Sequence, residues 1–84
     1  MRLDEELKAA KCKLDPEAFR QLVRMTYSEM YGEMPDEQLY YMPDEAKRFA
    51  GVIKQRARAP RLADSVPLRT LSNLRKRSSL RVAN

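Results

Sequence analysis

Apolar residues recur at helical spacing through most of this chain. Leu3, Leu7, Ala10 and Leu14 fall three or four positions apart, with Asp4, Glu5 and Glu6 ahead of Lys8, Lys11 and Lys13. Acids early and bases late suit the helix macrodipole, so the pattern predicts a short amphipathic helix over about 3–13. A second helix start follows at once. Asp15 has the chemistry of an N-cap, and Pro16 occupies the first helical position, where its missing N–H costs nothing. Leu14 and Phe19 have the spacing of a hydrophobic staple across that cap. Phe19, Leu22, Val23, Thr26, Tyr27 and Met30 then share one face, and Gly32 supplies a left-handed terminator, which places the element at 16–31.

The next segment repeats itself: Met34-Pro35-Asp36-Glu37 returns eight residues later as Met42-Pro43-Asp44-Glu45. Each copy puts proline at a first helical position with two carboxylates in the first turn, where free N–H groups and the positive dipole end favour them. Met42 precedes proline and is driven toward extended geometry, ending one short helix near Tyr41 and starting another. Capping accounts for every residue of the repeat. The competing reading is a recognition motif with methionine anchors and docking acids. Ala46, Phe49, Ala50, Ile53 and Ala57 continue at helical spacing until Pro60 closes the element. Gly51 weakens that interior by about 1 kcal/mol relative to alanine, which points to a close helix–helix approach or to plain tolerance, the first slightly favoured.

Beyond Pro60 the character changes: no aromatic, one acid (Asp64), and serines among arginines. The expected organisation is a helical domain over 1–60 and a basic tail over 61–84, flexible or forming a short helix at about 67–76 on Leu68, Leu71 and Leu74. All six aromatics lie between positions 19 and 49. Their large buried areas locate the expected core at Phe19, Leu22, Val23, Tyr27, Met30, Leu39, Phe49 and Ile53. The fold class is all-α, a small bundle of three to four short helices.

The net charge of +5 conceals a dipolar chain. Residues 1–45 carry 6 Lys and Arg against 11 Asp and Glu, a net −5, whereas residues 46–84 carry 11 against 1, a net +10. That asymmetry directs attention to an anionic partner for the basic part, or to attraction between the two halves. No stretch reaches the roughly 20 apolar residues of a membrane span, and the acidic N-terminal residues do not resemble a signal peptide. One cysteine, Cys12, and no histidine exclude an internal disulfide and the usual zinc ligand sets. An unpaired thiol is most comfortable in the cytoplasm, the expected location.

Catalytic chemistry finds little footing. There is no histidine for acid–base work, and Ser65, Ser72, Ser78 and Ser79 lack an activating base. Two glycines in the whole chain build no phosphate-cradling loop. The expectation is therefore a non-enzymatic protein without cofactor or metal. A helix-turn-helix reader is disfavoured because Asp44 and Glu45 stand at the helix end that would face base edges, where phosphates repel them. The candidate nucleic-acid-binding residues are Arg56, Arg58, Arg61, Arg69, Arg75, Lys76, Arg77 and Arg81, mostly the planar forks that suit phosphate. They are expected to contact backbone without base specificity. The alternative is a protein–protein adaptor using Met34, Tyr40, Tyr41 and Met42.

Overall fold

Four helices account for the described residues of this computed structural model, which are 3–32, 38–39 and 41–83, with side chains described through Leu74. They are α1 (Leu3–Ala9), α2 (Pro16–Tyr31), α3 (Pro43–Arg56) and α4 (Ser65–Ala83), with no strand among these residues. The protein is all-α. The first copy of the repeat, Met34 to Glu37, and Tyr40 lie outside the described residues, while positions 38 and 39 are helical.

The start of α2 follows from its capping chemistry. The Ala18 N–H donates to Asp15 Oδ1 at 2.7 Å, Pro16 opens the helix, and Leu14 lies partly buried against the core that holds Phe19. Helix ends are set by left-handed residues. Gly32 ends α2 at φ 63°, its N–H donating to the Ser28 carbonyl. Two other ends use cations instead of glycine. After α1, Lys11 (φ 59°) donates to the Lys8 carbonyl, and the Cys12 N–H reaches back to Leu7. After α3, Arg58 (φ 55°) donates to Gln55, and the Ala59 N–H reaches Lys54. In both turns the paired bonds satisfy helix carbonyls that would otherwise lack partners.

The core is a set of apolar stripes meeting in the middle. Phe19, Val23 and Thr26 come from α2, and Ala46, Phe49, Ala50 and Ile53 from α3, with Leu7 from α1 and Leu39 from the connection between α2 and α3. Tyr27 and Tyr31 stack around Phe49, the Tyr27–Phe49 pair edge-on at 5.9 Å between centroids. Leu22, Tyr27 and Met30, expected in the core, pack against it while partly exposed.

The core also continues past position 60. Leu62, Val66, Pro67, Thr70, Leu71 and Leu74 are buried, so the first half of α4 is a structural member of the bundle. The helix begins at Ser65, two residues before the proline expected to open it. Pro67 remains compatible because the first four N–H groups of a helix have no intrahelical acceptor. The buried Thr70 hydroxyl donates to the Val66 carbonyl at 2.8 Å. Gly51 is exposed, with open space where a Cβ would stand, so no close helix approach requires it.

Candidate nucleic-acid interface

The fold sorts the eight candidate cations into three groups. Two are engaged within the protein. Arg56, in the last turn of α3, donates to the Glu29 carboxylate and, at 3.2 Å, to Thr26 Oγ1, fastening α3 to α2. Arg69 on α4 donates to the Glu6 carboxylate of α1, whose side chain is only 12% exposed. A third pair, Lys54–Asp64 at 2.7 Å, joins α3 to the residue before α4. Charge that the sequence assigns to the basic part is thus partly spent holding the acidic part in place.

Arg58 and Arg61 form the second group. Both are exposed in the α3–α4 connection, and among the described residues neither has an ion-pair partner. Arg75, Lys76, Arg77 and Arg81 form the third. The backbone that carries them is helical, and their side chains lie outside the described residues.

Register distinguishes this third group. The buried positions of α4 are 66, 67, 70, 71 and 74. The same three-and-four spacing carried onward reaches 77, 78 and 81, which are arginine, serine and arginine. The stripe that is buried and mostly apolar to Leu74 has arginine at two of its next three positions. The segment 65–84 has no acid, and its later cations stand near a helix C-terminus, where the dipole favours positive charge.

Of the adaptor residues, Tyr41 is 86% exposed and Met42 36%, both just ahead of α3, while Met34 and Tyr40 lie outside the described residues. The nearby Tyr31 hydroxyl donates to the Glu45 carboxylate at 3.1 Å, linking the end of α2 to the start of α3. Burial, then the hydrogen bond to anionic Glu45, pushes the Tyr31 pKa up to about 12. Cys12 is half-buried, its Sγ 3.8 Å from the Ala57 carbonyl oxygen. Among the described residues no group of three His, Cys, Asp or Glu side chains is placed to hold a metal. No helix among them is long and apolar enough to cross a membrane. Comparison with protein-family models, curated proteins and solved structures found no match to this chain.

Proposed function

We propose that this is a non-enzymatic, cytoplasmic accessory protein that binds nucleic acid electrostatically through the distal half of α4, using Arg75, Lys76, Arg77 and Arg81. The observation that carries the reading is the change of the α4 stripe from mostly apolar to arginine-bearing after Leu74. Arg56 and Arg69 take structural roles in it, because releasing either would expose a carboxylate, Glu29 or Glu6, beside the incoming phosphate. Contacts of this kind are made to the phosphate backbone, so binding is steeply salt-dependent and nearly indifferent to sequence. The reading of the chain as non-enzymatic rests on the missing histidine and the serines without a base.

The test is a residue-resolved amide NMR titration of the full chain with short mixed-sequence RNA and DNA at low salt. Shifts centred on residues 75–83 and reversed by salt are expected. Their absence would overturn the reading. A second reading, a protein–protein adaptor, is favoured by one observation, the exposure of Tyr41 ahead of α3. Tyrosine supplies a large amphipathic contact at low entropic cost. Shifts confined to residues around Tyr41 on addition of a candidate protein partner would favour it.

A further inference from the structure

Three lysines of the net-acidic half, Lys8, Lys11 and Lys13, end up beside two arginines of the basic half. The turn after α1 meets the turn after α3, with Cys12 Sγ 3.8 Å from the Ala57 carbonyl oxygen. Lys11 and Lys13 flank Cys12 in the chain, and Arg58 follows Ala57. Arg61 lines an open cleft of about 250 Å3 together with Ala9 and Ala10. A second cleft, on the other flank of α1, has Lys8 and Lys13 on its walls beside Cys12. One end of the bundle therefore presents Lys8, Lys11, Lys13, Arg58 and Arg61, all exposed and, among the described residues, none in an ion pair.

The surrounding negative charge offsets them only in part. Asp4 and Asp15 share the cleft with Lys8 and Lys13, but Asp15 is occupied as the cap of α2. Glu5 lies a turn back from Lys8, near the positive end of α1. Glu6 is bonded to Arg69, and Asp64 to Lys54. The two helix C-termini that converge here contribute about half a negative charge each, about one in all against five cations. Two of the five also occupy left-handed backbone, at φ 59° and 55°, where glycine is favoured by about 1 kcal/mol. Cations stand where the backbone alone would select a residue without a side chain.

We propose that Lys8, Lys11, Lys13, Arg58 and Arg61 form a second docking surface for the phosphate backbone of a nucleic-acid duplex. A duplex fits better than a single strand because the surface has no aromatic side chain for stacking, and duplex phosphates offer the higher charge density. The surface rests on the nucleic-acid reading but uses none of the distal α4 residues. It lies toward the opposite end of α4, whose rise from Ser65 to Arg77 is about 18 Å.

The left-handed positions supply a clean test. In the full chain, Lys11→Gly with Arg58→Gly removes two cations while relaxing both turns, so the melting temperature should hold or rise. Fluorescence anisotropy with a mixed-sequence DNA duplex of about 20 base pairs should show binding weakened on the order of tenfold near 50 mM salt. The slope of log K against log salt should shrink by about 2. Affinity and slope equal to wild type in a folded variant would overturn the proposal. A parallel variant, R75Q/K76Q/R77Q/R81Q, separates it from the reading it rests on. Weakening only in that variant overturns this surface and leaves the distal α4 site standing. Weakening only in the glycine variant supports this surface and overturns the distal site. Weakening in both supports both, and a wild-type chain that fails to bind duplex overturns both.

Discussion

Gly51 and Phe49 sit two positions apart in α3 and mark the extremes of what a single residue does here. Phe49 is fully buried and holds Tyr27 and Tyr31 around its ring. Phe49→Ala should remove about 3–5 kcal/mol, measured by urea denaturation, a large share of what an 84-residue chain has. Gly51 is exposed and touches nothing, so Gly51→Ala relieves only the backbone entropy penalty of glycine. It should add about 1 kcal/mol, raising the thermal midpoint by roughly 4–8 °C. An unchanged or lowered midpoint would mean that something does face that position. The sequence leaves Gly51 ambiguous because spacing tells which face a residue shares and not what lies opposite it. The Asp15-Pro16 cap is legible because its chemistry is local to four residues. The left-handed Lys11 and Arg58 are not, since neither residue type advertises that conformation.

Between elements, polar contacts decide how the helices are joined, and one of them titrates. Tyr31 spans from α2 to Glu45 of α3, and its pKa is raised from 10.0 to about 12. A raised folded-state pKa means that the native protein keeps its proton where the unfolded chain has lost it. The stability from this contact is therefore fully present below pH 10 and disappears as pH rises from about 10 toward 12. Tyrosinate absorbance should show one residue ionising near pH 12, absent in Tyr31→Phe, and that variant should lose less stability than wild type across the same window. The Arg69–Glu6 and Arg56–Glu29 pairs do similar joining with half-exposed arginines, so each adds modestly, up to about 1 kcal/mol, and less at high salt. These pairings are where sequence reading stopped short. Charge asymmetry is compatible with attraction between the halves as well as with an outside partner, but Glu6 and Arg69 are 63 positions apart, and only the three-dimensional arrangement of α1 against α4 selects them. Two arginines classed as binding residues are joints for that reason.

For the molecule as a whole, the question is where folding ends and surplus charge begins, and α4 divides near Leu74. The part before it buries Val66, Pro67, Thr70, Leu71 and Leu74, and the four later cations follow. The spacing of Leu68, Leu71 and Leu74 makes a short helix legible there, but with no aromatic after Phe49 the sequence does not distinguish a docked helix from a flexible tail. Aliphatic residues at the same spacing fill the core as well, and the arginines between them made the segment resemble a tail. A chain ending at Leu74 should therefore keep its fold while its net charge drops from +5 to +1, because the deleted residues include four cations and no acid. Circular dichroism should lose no more ellipticity than the helical residues 75–83 account for, and a cooperative melt should persist within a few degrees of wild type. Ending the chain at Ala63 instead removes the apolar half of α4 from the core cluster it shares with Leu7, Phe19 and Ile53; that chain should show no cooperative melt. If the shorter deletion also abolished the melt, the cationic turns would be structural, and the distal α4 site would lose its claim to be free for a partner. If it melts like wild type, nucleic-acid binding by the two chains can be compared with the fold held constant.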